Sequence, residues 1–159
     1  MKVWLVLGVS ALLCLALYLG LKTSSDLSAS ALLATPPVYI RDCAPSRAIC
    51  SVQLGSITLQ IQLQPPGLPA MVPLTLRVEA ESLADVQMVR AWFEGRDMDM
   101  GRHDLAPIPE SDTTAIMWSG VIPVCSVNPQ MVWQLKLLLQ VQDEPQQIVF
   151  DLATDAITE

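Results

Sequence analysis

The chain has 159 residues, a formal charge of −7 and a single histidine, His103. Both basic residues of the first 22 positions are lysines, which leaves seven basic against sixteen acidic residues beyond them, a net −9. A domain so charged lacks the clustered Lys and Arg needed to bind nucleic acid or anionic lipid, while its field attracts cations.

The first predicted element is a membrane anchor. Val3 to Leu21 reads VWLVLGVSALLCLALYLGL, nineteen residues without a charge, bracketed by Lys2 and Lys22. At about 1.5 Å per residue a helix of this length spans roughly 28 Å, close to the hydrocarbon thickness. A cleaved signal has an apolar run of only about 7–15 residues with a small-residue site close behind it. Here the best such site, Ala29-Ser30-Ala31, lies ten residues past the run. Cys14 follows Leu12-Leu13 rather than a small residue, so it is a poor lipidation site. An uncleaved anchor (1–22) is therefore expected ahead of a cleaved signal or a buried globular helix. Lys2 and the terminal amine face Lys22 offset by Asp26, a slight bias for a cytoplasmic N-terminus. Residues 23–40 begin with a Ser/Ala/Thr-rich stretch that lacks a strong period and read as a flexible tether. Residues 41–159 read as one domain.

Cys43 and Cys50 then flank the loop APSRAI, and Cys125 stands alone further on. Three cysteines beyond the helix leave three readings open. Cys43 and Cys50 form a disulfide, which loop entropy alone makes worth about 2.5 kcal/mol. Cys125 pairs with one of them. Or thiols are kept for a soft metal such as Cu(I). The spacing is not that of a zinc knuckle or a thioredoxin-type motif.

From Ser51 onward apolar residues recur with period two, the mark of strands with one wet face. Ile57, Leu59, Ile61 and Leu63 alternate with Thr58, Gln60, Gln62 and Gln64. Val52 and Leu54 have the opposite parity, which predicts a bulge or bend at Gly55-Ser56. Pro65-Pro66-Gly67 ends that strand. Leu74, Leu76 and Val78 mark the next. Val89, Ala91 and Phe93 form another inward set, with Met88 and Trp92 opposite. Ile116, Trp118, Ile122 and Val124 predict a further strand. Met131, Trp133, Leu135, Leu137, Leu139 and Val141 predict the longest one, and Ile148 and Phe150 close the series. About seven short strands with turn signals between them predict an all-β domain, an immunoglobulin-like antiparallel β-sandwich.

Between the strand marked by Val89, Ala91 and Phe93 and the one that begins at Ile116 lies Phe93-Glu94-Gly95-Arg96-Asp97-Met98-Asp99-Met100-Gly101-Arg102-His103. In an extended run Met98 and Met100 project from one face. With His103, and with Cys125 as a thiol, they make a candidate Cu(I) ligand set, and the carboxylates of Glu94, Asp97, Asp99 and Asp104 would raise the local cation concentration. The competing reading makes both methionines core filler. A calcium loop fits poorly, since Gly101 and Ile108 fall at its fifth and twelfth positions. No HExxH, GxSxG, P-loop or Rossmann glycine pattern occurs, and beyond a Cys125–His103 pair nothing suggests an enzyme.

The order Cys-x6-Cys, Leu-Gln-Pro-Pro-Gly-Leu-Pro-Ala-Met-Val-Pro-Leu-Thr-Leu, Phe-Glu-Gly-x-x-Met-x-Met-Gly and Pro-Val-Cys-x5-Met-x-Trp resembles a family of proteobacterial proteins with one membrane helix. These are similar in plan to FixH-like and YtkA-like domains, membrane-associated β-sandwiches linked to cytochrome oxidase assembly and copper supply. The resemblance runs from Cys43 to Trp133 and marks Cys43, Cys50, Met98, Met100, Cys125 and Met131 as motif positions. His103 is not among them, so its role rests on chemistry alone. What the resemblance implies is a domain on the periplasmic side of a bacterial cytoplasmic membrane, Cu(I) as ligand, and a cytochrome oxidase or its assembly factors as partner. The alternative expectation is a structural or interaction domain that docks on a membrane complex and uses its cysteines for a disulfide.

Overall fold

A computed structural model describes residues 36–109, 114–124 and 131–153. The chain divides after Thr35, and all described residues belong to the second unit. The anchor read at Val3–Leu21, the tether up to residue 35, and Cys125 lie outside the described residues.

Ten strands follow one another: β1 (Val38–Ile40), β2 (Cys50–Leu54), β3 (Ile57–Gln64), β4 (Leu74–Ala80), β5 (Val86–Gly95), β6 (Arg102–Asp104), β7 (Ala106–Pro107), β8 (Ile116–Gly120), β9 (Val132–Val141) and β10 (Glu144–Ala153). They form two five-stranded sheets, in the orders β1-β10-β9-β5-β6 and β2-β3-β4-β8-β7. All neighbours are antiparallel except β1, which runs parallel to β10. The all-β expectation holds, and the seven longer strands are those the alternation predicts. β1, β6 and β7 are additional, and β1 falls inside the range read as tether. They have two or three residues each, too few to show a period.

The inner faces of both sheets contribute to one hydrophobic core. Ile57, Leu59, Ile61 and Leu63 of β3 meet Leu135, Leu137 and Leu139 of β9 there, and Trp133, Phe93 and Phe150 are its largest fully buried side chains. The intervening Thr58, Gln60, Gln62 and Gln64 stay on the outer face, as period-two alternation requires.

Three details differ from the sequence expectation. Gly55-Ser56 is not a bulge but the two-residue turn of the β2–β3 hairpin, closed by the Leu54–Ile57 pair. Gly55 has φ 59°, as the first central position of a type II′ turn requires. The parity change there is a reversal of chain direction. The bulge instead lies in β5, where the register shifts between Met88 and Arg90. It pushes Val89 out to 37% exposure and turns Met88 inward beside Ala91 and Phe93, the reverse of the expected assignment. Finally, β8 stops at Gly120: Ile122 is still buried, but Val124 is exposed.

One side of the sandwich is closed by the chain itself. Leu105, between β6 and β7, carries the chain from one sheet to the other, and its side chain sits over Gly120, where an added Cβ would lie 2.8 Å from Leu105 Cγ.

The β9–β10 turn yields a first prediction. Its central residues Gln142 and Asp143 both have positive φ, 51° and 64°, where the usual pair is Asn-Gly. A left-handed non-glycine residue costs roughly 1–2 kcal/mol, partly offset by the greater freedom glycine has in the unfolded chain. Asp143→Gly is therefore expected to stabilise the domain by about 0.5–1 kcal/mol. A urea titration that shows no gain would contradict this turn assignment.

Candidate functional site

The loop of residues 96–101 joins β5 to β6, and glycine decides its path. At Gly95 an added Cβ would lie 2.2 Å from the Met98 carbonyl oxygen and 3.2 Å from Met131 Cε. The loop thus folds back over the end of β5 with Met131 beneath it. At Gly101 the backbone turns left-handed with φ 73°, and its N–H donates to Asp99 Oδ1 at 2.9 Å. The Arg96 N–H donates to the Val132 carbonyl at 2.9 Å. Its guanidinium reaches Asp97 at 2.8 Å and Asp151 at 3.2 Å, and Asp151 also accepts from Gln134 Nε2 at 3.0 Å. These bonds fasten the loop to β9 and β10.

Because the segment doubles back, Met98 and Met100 do not share one face of an extended strand. Met98 is 38% exposed, while Met100 is half-buried and packs against the core. His103, on β6, is half-buried and meets Trp133 edge-on with ring centroids 5.6 Å apart. Its Nε2 lies 3.0 Å from the Met100 carbonyl oxygen. A carbonyl only accepts, so Nε2 carries the hydrogen of this bond, and in the neutral ring Nδ1 keeps the lone pair a metal would use. Met98 thus lies in the loop and His103 on the strand that follows it, with Met100 between them in the chain and bonded to His103 through its carbonyl. Among the described residues no three His, Cys, Asp or Glu side chains gather as metal ligands.

The electrostatics correct the expectation that four nearby carboxylates enrich cations. Glu94 pairs with Lys136 and accepts from Trp92 Nε1 at 2.8 Å. Burial alone would raise its pKa, but those two hydrogen bonds and the Lys136 and Arg102 charges hold it below the usual carboxylate range. Asp97 is held low chiefly by its hydrogen bond from Arg96, and Arg96 is raised in turn by Asp97 and Asp151. Asp104 pairs with Arg90 and Arg102. Only Asp99, of the four, has no ion pair among the described residues. The open depression over the loop, about 460 Å³, is lined by Glu94, Asp97 and Asp99 but also by Arg96 and Arg102, so its field is nearly balanced.

Cys43 and Cys50 form a disulfide, the first of the three readings. The loop it closes is tied to the neighbouring chain: the Pro45 carbonyl accepts from Leu63 N–H at 2.8 Å and the Ser46 carbonyl from Gly67 N–H at 2.9 Å. The short link from the end of β4 to the start of β5 puts those two termini at one end of the sandwich. The opposite ends of both strands therefore share the other. The disulfide loop, the proline-rich loop after β3, residues 121–124 and the methionine loop all gather there.

Sequence reasoning passed over Met71 at this end. It is 66% exposed at φ 60°, with its N–H bonded to the Ile122 carbonyl at 2.9 Å. Val72 beside it is exposed, as are Val121 and Val124 on either side of its partner Ile122 in the chain. The only hint was the Pro-Ala-Met-Val-Pro run, three apolar residues held between two prolines. Comparisons with family models, with curated proteins and with solved structures give no match for this chain.

Proposed function

We propose that this chain is a non-catalytic accessory protein of a bacterial cytoplasmic membrane. In this reading one N-terminal helix anchors it, with the N-terminus cytoplasmic, and an immunoglobulin-like sandwich stands in the periplasm. There the loop after β5 handles Cu(I) for the assembly of respiratory oxidases. The observation that carries the reading is the loop itself: an exposed thioether at Met98, and a His103 ring whose Nε2 is bonded to the Met100 carbonyl. Two soft sulfur donors and an imidazole suit Cu(I) and discriminate against Ca(II) and Zn(II). The Cys43–Cys50 disulfide supports the compartment, since such bonds persist where the surroundings are oxidising. Cys125 is the candidate thiol ligand.

A second reading, an interaction domain that docks on a membrane complex, is favoured by a different observation. The Met100 side chain packs on the core and its carbonyl holds His103, so both residues also serve to fix the loop.

Anaerobic Cu(I) titration of the purified full chain, with thiols counted on the same sample, separates the two. The first reading expects Cu(I) to bind and Zn(II) and Ca(II) not to. Met98→Leu with Met100→Leu roughly conserves volume, so the fold is expected to survive. Cu(I) affinity should fall at least tenfold, about 1.4 kcal/mol. Thioethers carry no proton, so binding through them persists at mildly acidic pH, whereas thiolate ligation by Cys125 weakens there. A parent that does not bind, or a double variant that binds as tightly, leaves the interaction-domain reading.

A further inference from the structure

Each sheet has two edge strands, and their protection is uneven. An edge strand exposes a row of unpaired N–H and C=O groups, which proteins guard by shortness, charge or proline. β1 has three residues, β6 reads Arg-His-Asp, and β7 has two residues of which one is Pro107. β2 has none of these guards. It is five residues long, Cys50-Ser-Val-Gln-Leu54, uncharged, and regularly paired with β3 on its other side.

The hairpin fixes which groups are open. Leu54 and Ile57 close a two-residue turn and are a hydrogen-bonded pair, so Val52 and Cys50 also bond to β3 by alternation. The main-chain N–H and C=O of Ser51 and Gln53 then face away from the sheet, and none of them has a backbone partner among the described residues. Both side chains are exposed on the polar outer face, and Cys50, Val52 and Leu54 point into the core.

We infer that β2 is a pairing edge and that its occupant is β2 of a second copy of this chain. Two antiparallel β2 strands related by a two-fold axis through Val52 place Ser51 opposite Gln53 of the other copy, and Gln53 opposite Ser51. Each of these pairs exchanges two main-chain hydrogen bonds, which satisfies every open group of both strands. The central Val52 pair is then the close, non-hydrogen-bonded one, which extends the inner apolar row without a gap. The cross-strand neighbours on the outer face are serine against glutamine, free of the like-charge repulsion that a domain of net −9 would meet on most self-contacts. Pairing by one five-residue strand covers less than the roughly 800 Å² per partner of a standard interface, so the dimer is a reversible one.

Sedimentation of the purified full chain in detergent micelles over a range of concentrations tests this. Reversible monomer–dimer behaviour is expected. Gln53→Pro removes one outward N–H that the fold itself does not use, and proline is tolerated on that side of an edge strand. It should leave the circular dichroism unchanged and weaken association at least tenfold. Ser51→Lys with Gln53→Lys puts lysine opposite lysine twice and should give monomer. Ser51→Glu with Gln53→Glu should do the same, and an equal mixture of the two variants should dimerise again. A parent that stays monomeric overturns the inference. So does a dimer that the lysine variant leaves intact, or a mixture that fails to re-associate.

Discussion

Trp133→Ala is expected to lower the stability of the domain by about 3–5 kcal/mol, the usual range for emptying a buried aromatic site. Trp133 is 1% exposed and is the largest fully buried side chain of the core. In β9 it stands between Gly95 of β5 and Leu152 of β10, so its loss opens a void shared by three strands. It also removes the ring against which His103 rests. A domain of this size has about 5–15 kcal/mol in total, so the variant should unfold at far lower urea concentration than the parent. Trp133→Phe keeps most of the volume and should lose much less. The measurement is urea denaturation followed by far-UV circular dichroism, since the substitution alters the fluorescence. A loss below about 1 kcal/mol would show that β9 does not bury this face.

Trp133 was legible because β9 is long and regular: alternation over Val132–Val141 puts Trp133, Leu135, Leu137, Leu139 and Val141 on one face, with Leu138 the large apolar exception on the other. The same holds for Ile57–Gln64. Legibility fails where one residue changes parity. The bulge at Val89 inserts a residue against β9, and a valine followed by an arginine carries no mark of it. The expectation placed Met88 outside and Val89 inside for that reason. At Gly55-Ser56 the opposite happened, and a plain hairpin turn produced a parity change that resembles a bulge.

The site was legible in its residue types and not in its shape. The spacing Met98-x-Met100 implies a shared face only in an extended chain, and extension depends on whether something else occupies the space over Gly95. Here the Met98 carbonyl does, because β9 delivers Val132 to bond Arg96. The charge balance was hidden in the same way. A cluster of acids between 94 and 104 reads as a cation attractor until the fold brings Lys136 alongside from β9 and sets Arg90 of β5 against Asp104 of β6. The disulfide was foreseeable as one of several pairings, and a loop short enough to close locally is the one that formed.

Gly95→Ala puts the folded-back loop itself to the test. The added methyl would sit 2.2 Å from the Met98 carbonyl oxygen and 3.3 Å from its carbon, with Met131 Cε at 3.2 Å. Met131 is a flexible side chain and moves aside cheaply. The Met98 carbonyl is backbone, so it moves only if residues 96–101 move with it, which strains the bond from Arg96 N–H to Val132 and the Arg96 bridge to Asp151. Overfilling a packed site costs typically 1–3 kcal/mol, and the rigid obstacle puts the expected loss near the upper end, about 3 kcal/mol. Gly101→Ala provides the contrast. Nothing lies within 4 Å of its added Cβ, but the backbone there has φ 73°, so only the left-handed penalty of roughly 1–2 kcal/mol applies. Gly101→Asn, which tolerates that conformation better, should recover part of it. The order of stabilities under urea is therefore parent, Gly101→Asn, Gly101→Ala, Gly95→Ala. Should Gly95→Ala match the parent to within about 0.5 kcal/mol, the loop does not close over β5 and the placement of Met98, Met100 and His103 around it falls with that contact.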